Sequence, residues 1–123
     1  MSGFDVALCP RYHRAIEIVG RRWSGAILRV MLDGATRFSE LKHTIPDIND
    51  RMLSERLKEL EAEGLVMREV RSTTPVKVEY HLTPMGAALE PVLDGIGRWA
   101  TEWLDLPQAN VRAAPPHRPS PSL

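Results

Sequence analysis

Residues 36–82, TRFSELKHTIPDINDRMLSERLKELEAEGLVMREVRSTTPVKVEYHL, decide the fold. Thr36 opens a short helix in which Phe38, Leu41 and Ile45 recur at helical spacing, and Pro46 closes it because it cannot continue the ladder. Asn49 or Asp50 caps the next helix, which gathers Leu53, Leu57 and Leu60 on one face and stops at Gly64. The period then changes from 3.6 to 2. Val66, Arg68 and Val70 alternate with Met67, Glu69 and Arg71; beyond Ser72-Thr73-Thr74-Pro75, Val76, Val78, Tyr80 and Leu82 alternate with Lys77, Glu79 and His81. Two alternating runs around a polar, proline-ended turn predict a β-hairpin. A short helix, the link Pro46-Asp47-Ile48, an amphipathic helix and a hairpin together outline a winged helix-turn-helix.

Working outward, Pro10 starts a first helix with Ala15, Ile16, Ile18 and Val19 on its apolar face and Gly20 at its end. Ser24 is placed to cap a second helix, nearly all apolar through Ile27, Leu28, Val30, Met31 and Leu32, hence buried. On the other side, Thr83-Pro84 begins a last helix reaching about Leu104, interrupted or bent at Pro91. The expected fold class is mainly α with a β-hairpin, a winged helix-turn-helix with flanking N- and C-terminal dimerisation helices. Residues 1–106 are expected to form that domain, for DNA binding and dimerisation. Residues 107–123 hold five of the ten prolines and no acid, which predicts a Pro-rich, disordered tail because too little apolar surface is available to offset ordering.

The 123 residues carry 16 Lys plus Arg against 16 Asp plus Glu, for zero net charge. That balance excludes a binder whose affinity comes from bulk phosphate neutralisation, and leaves one that uses a few placed contacts. Positive charge is concentrated early: Arg11, Arg14, Arg21, Arg22 and Arg29 accompany the single acid Glu17. Residues 37–81 hold eight cations and nine acids, with Glu59, Glu61 and Glu63 at the far end of the amphipathic helix. Opposite its leucines that helix shows Arg51, Ser54, Glu55 and Lys58, whose donors and acceptor suit base edges. Arg37, Arg68, Arg71 and Lys77, with the hydroxyls of residues 72–74, suit the phosphate backbone. The expected partner is double-stranded DNA, read by a homodimer at an inverted repeat. A solvated charged helix face is the plainer account of the same residues, and a winged-helix protein-interaction module is the rival function.

The last helix carries Met85, Leu89, Val92, Ile96, Trp99 and Trp103 at alternating four- and three-residue steps, a coiled-coil-like stripe that predicts a subunit interface together with Ile16 of the first helix. Packing onto the chain's own core is the alternative. Trp23, Trp99 and Trp103 also suggest an apolar effector pocket at that interface, with the effector unknown.

Cys9 is the single cysteine and admits two readings. Directly before Pro10 it sits at the positive end of a helix dipole, near Arg11 and Arg14, which favours a reactive thiolate; or it is a small residue packed under the helix. His13, His43, His81 and His117 fall on different segments, so no metal site is expected, and no serine has a recognisable base; catalysis and cofactors are not expected. No apolar run approaches the length of a membrane span or a secretory signal, so the chain is expected to be cytoplasmic and away from membranes.

The residues resemble the HxlR-type winged helix-turn-helix transcriptional regulators of bacteria. The resemblance rests on Cys9-Pro10, on the run from Gly20 to Val70 with Trp23, Gly34-x-x-Arg37-Phe38-x-x-Leu41 and Met52-Leu53-Ser54-x-Arg56-Leu57, and on VEYHLTPMG from Val78 to Gly86, with Trp99-Ala100 trailing. It covers about residues 9–104. It implies a dimeric DNA-binding regulator joined through its first and last helices; the expected sign of regulation is repression. Residues 49–63 would enter the major groove and the 65–82 hairpin the flanking minor groove. Some members sense electrophiles or oxidants through a cysteine near the N-terminus, and Cys9 is the matching residue.

Overall fold

A computed structural model describes residues 9–106; the predicted Pro-rich tail, 107–123, lies outside the described residues. The elements are α1 (Pro10–Gly20), α2 (Ser24–Leu32), α3 (Phe38–Thr44), α4 (Asp50–Ala62), β1 (Val66–Arg71), β2 (Lys77–Leu82), a single turn α5 (Pro84–Ala87) and α6 (Glu90–Trp103). The strands pair antiparallel from Val66 opposite Leu82 to Arg71 opposite Lys77. This is the winged helix-turn-helix that the central stretch predicts.

Two helix starts differ from expectation. Ser24 does not cap α2; Trp23 takes the N-cap position in the left-handed region, at φ 76°, and Ser24 is buried inside the first turn. An indole at positive φ is strained, and its ring is held by packing against the core and by the Arg22 guanidinium 4.9 Å above it. Helix α3 is entered through Arg37 rather than Thr36. Glu40 reaches back and accepts from the backbone N–H groups of both Thr36 and Arg37, at 2.9 Å each. Those two bonds hold its carboxyl below the usual carboxylate range. Asn49, by contrast, caps α4 as expected, its Oδ1 accepting from Met52 N at 2.8 Å.

The core is one cluster: Ile27, Leu28 and Met31 of α2, Leu41 of α3, Ile45 and Ile48 of the link, Leu53, Leu57 and Leu60 of α4, then Leu65 and Val66. Val30 and Leu32 are half-buried at its margin. The last helix breaks at Ala88–Leu89, the turn before Pro91, whose missing N–H and ring would conflict with the carbonyl of Ala87 in a continuous helix.

Two backbone bonds lock the wing to the reading unit. Tyr80 N donates to Thr36 O at 2.7 Å, so β2 lies between β1 and the extended entry to α3. Thr83 N donates to Leu65 O at 3.0 Å, and Thr83 Oγ1 to Gly64 O at 2.6 Å while accepting from Gly86 N. This close seam is possible because residue 86 has no side chain: a Cβ there would run into the Leu65 carbonyl. Gly86→Ala is therefore expected to lower unfolding stability by at least about 1–3 kcal/mol, measured by urea titration.

Candidate nucleic-acid interface

The reading helix α4 turns its leucines inward and leaves Arg51, Ser54, Glu55 and Lys58 exposed, as a 3.6-residue period requires. Arg51 Nε pairs with Glu55 Oε1 one turn on, at 3.1 Å. Such an exposed pair is weak and breaks readily when a base edge competes for either member. Ser54, Lys58 and Arg68 come together in one groove of about 390 Å³, closed by Leu57, Glu61 and Tyr80. Donors from the helix and from the first strand of the wing thus line the same recess.

The hairpin register separates the remaining cations. Arg68 stands opposite Tyr80 and shares the inward face with Val66, Val70, Val78 and Leu82; Arg71 and Lys77 are register partners on the outward face. Arg71 is held by Glu79 at 3.2 Å and by Glu69 at 3.4 Å. At the tip, Thr73 Oγ1 donates to Pro75 O at 2.6 Å, so its proton is used internally. Arg37, at the entry to α3, is exposed.

Three of the five early arginines are tied up in ion pairs. Arg14 pairs with Glu63 and Glu17, Arg21 with Glu59 at 3.0 Å, and Arg29 with Asp33 at 3.0 Å and Asp94 at 2.5 Å. Glu59 and Glu63, at the far end of α4, are thereby matched from α1 and its following turn, while Glu61 stays exposed. The hydrogen bond from Arg21 holds the Glu59 carboxyl below the usual range, with the charges of Arg56 and Arg21 adding to it against a desolvation cost.

Sequence reasoning passed over Arg56. Its side chain is buried, donates through Nε to Arg22 O at 2.9 Å, and pairs through Nη1 with Glu59 at 2.9 Å. A charged residue one helical step from Leu53 and Leu60 was the available signal, because that position faces inward.

The proposed interface residues of the last helix divide. Leu89 packs on the chain's own core with Leu93, which the predicted stripe omitted. Val92, Ile96, Trp99 and Trp103 point outward, with Ile96 50%, Trp99 57% and Trp103 68% exposed; Ile16 of α1 is exposed as well. None of the residues of α6 is buried. Cys9 is the N-cap of α1 and half-buried; its carbonyl accepts from His13 N at 3.1 Å. Trp23 packs on the core, and neither the groove beside α4 nor a second one of about 700 Å³ between α1 and the end of α4 is lined by a tryptophan. No helix among the described residues is long and apolar enough to cross a membrane.

A capped reading helix on a helix-turn-helix core, with a hairpin wing bonded to its flank, defines a winged helix-turn-helix regulator. The chain belongs to the HxlR-like helix-turn-helix family, whose profile matches residues 18–108. It is 50% identical over 98 residues to the Bacillus subtilis HTH-type transcriptional regulator YvaP, covering 80% of this chain and 91% of that one. The reduced form of YodB, a transcriptional regulator of B. subtilis, superposes with a TM-score of 0.72 at 45% identity, over 80% of this chain and 96% of that chain. The redox regulator HypR in its oxidised form gives 0.73 at 40%, over 80% and 100%. The protein is a DNA-binding transcriptional regulator.

Arg56→Ala opens a void beneath the reading helix and leaves the Arg22 carbonyl without its donor. Thermal and urea unfolding are expected to register a loss of about 1–3 kcal/mol.

Proposed function

We propose that the protein is a homodimeric repressor that binds an inverted-repeat operator. The observation that carries this reading is the pairing of two surfaces on one chain: an exposed reading face on α4, and an unburied apolar ridge of Val92, Ile96, Trp99 and Trp103 on α6. A ridge of that composition is stabilised by removal from water, and a second copy offers the same ridge by two-fold symmetry. The two reading helices of such a dimer face successive turns of one side of the duplex, so the half-sites lie roughly 34–36 Å apart or a multiple of it. Arg51, Ser54, Glu55 and Lys58 read bases; Arg37, Arg68, Arg71 and Lys77 hold the backbone.

The test combines sedimentation with binding to the DNA flanking the protein's own gene. Wild type is expected to sediment as a dimer and to prefer that duplex over random DNA. Ile96→Asp is expected to sediment as a folded monomer and lose the preference. Arg51→Ala is expected to remain dimeric and lose about 1–3 kcal/mol of preference for the operator over random DNA. A monomeric wild type that still discriminates would overturn the dimeric reading; equal binding of both duplexes would overturn specific readout.

A second reading concerns Cys9. Support comes from its half-buried place at the start of α1, ahead of a helix that is ion-paired to α4 through Arg14 and Glu63, and from the likeness to HypR. With one thiol per chain, oxidation by diamide joins two subunits: each thiol gives up a proton and an electron, an S–S bond forms, and the diazene is reduced to its hydrazine. Diamide is expected to abolish operator binding by wild type and spare Cys9→Ser. Identical responses of the two proteins would remove Cys9 as the sensor.

A further inference from the structure

His81 does not meet another histidine, but the hairpin brings it to two glutamates. Glu69 and Glu79 are register partners, and His81 follows Glu79 by two residues on the same face. His81 Nε2 lies 3.3 Å from Glu69 Oε1 and 3.2 Å from Glu79 Oε1. One ligand atom from each residue fits within 4.8 Å of the other two. A tetrahedral ion with bonds near 2.1 Å needs neighbouring ligand atoms about 3.4 Å apart, so two of the three separations already suit it. The side chains are partly sheltered, Glu79 being only 16% exposed.

Like charges directly opposite each other weaken a strand pair, and here a cation has to lie between them. In the described structure that cation is Arg71, which contacts both of the Oε1 atoms that His81 also approaches. Its guanidinium is a single charge on a half-exposed side chain. A dication held by both carboxylates and an imidazole nitrogen would match the pair more fully, with water completing the coordination.

We propose that Glu69, Glu79 and His81 form a binding site on the wing for a divalent transition metal of the zinc class, and that the metal displaces Arg71 from the two carboxylates. One nitrogen and two oxygen donors select zinc, cobalt or nickel over calcium and magnesium, which favour all-oxygen shells. The site lies below the tip of the wing, two register positions from Arg71 and Lys77 and on the same face. Filling it removes the negative charge beneath those two cations and frees Arg71 to reach a phosphate. The consequence for DNA rests on the wing contacting the backbone, as proposed above; metal binding itself does not.

The experiment titrates full-length protein, in a Cys9→Ser background that removes the one thiol, with zinc chloride by calorimetry and with cobalt chloride by visible absorption. The expected result is one saturable ion per chain and cobalt d–d bands. His81→Gln and Glu69→Gln are each expected to weaken binding at least ~10-fold. Arg71→Ala is expected to tighten it, which a purely structural role for the cluster would not produce. Glu69 is the more exposed carboxylate, so Glu69→Gln serves should His81→Gln fail to fold. Absence of saturable binding, or titrations unchanged in both variants, would overturn the site. In a parallel measurement on duplex DNA, zinc is expected to strengthen binding by the Cys9→Ser protein and to lose that effect in Arg71→Ala. Zinc that binds at the site yet leaves DNA affinity unchanged would overturn the coupling and leave the site standing.

Discussion

The buried guanidinium of Arg56 is the constraint on which the arrangement turns. It is the charged side chain inside an otherwise apolar stripe of α4, and it survives there because Arg22 O and Glu59 satisfy it. The carbonyl that it holds precedes Trp23, the strained N-cap of α2. One side chain therefore fixes the orientation of the reading helix against the turn that joins the first two helices, and helps that turn keep a conformation a tryptophan disfavours. Arg21 and Arg14 extend the connection along α1 by pairing with Glu59 and Glu63. The route from the N-terminal helix to the reading helix is ionic at the surface and hydrogen-bonded beneath it.

This network changes the meaning of the charge balance. The early arginines and the acids at the end of α4 look, in one dimension, like a basic patch and an acidic one. In three dimensions Arg14 and Arg21 neutralise Glu63 and Glu59, and Arg51, Lys58 and Arg37 are left exposed. Part of the balanced charge is thus committed to the internal frame. Specific contacts rather than a diffuse field must distinguish one duplex from another.

The order of elements was legible because each segment carries its own period and its own stop: Pro46, Gly64 and Thr83-Pro84 punctuate the chain where the elements change. The break before Pro91 followed from the same stereochemistry. What escaped the one-dimensional reading depends on register or on a distant partner. Trp23 at positive φ violates local preference and persists through packing that no window of sequence contains. The Tyr80–Thr36 bond and the meeting of Glu69, Glu79 and His81 need the hairpin alignment, which the composition of the 72–76 turn did not specify. Leu93 was missed because the four-three stripe was drawn for a continuous helix, and the break lets α6 set Leu89 and Leu93 on the core while the rest faces away.

Helix α6 is 14 residues long with no residue buried in its own chain, and it is moored by Leu89, Leu93 and the Arg29–Asp94 pair. A helix of that length is marginal in water by itself. Should a second copy cover the ridge, as proposed, ordering of this helix and assembly would be linked equilibria. Gene dosage would then set more than the number of regulators in a cell. At low abundance both the ridge and the paired reading heads are lost together, so occupancy of an operator would rise steeply, as the square of the amount of chain, before it saturates.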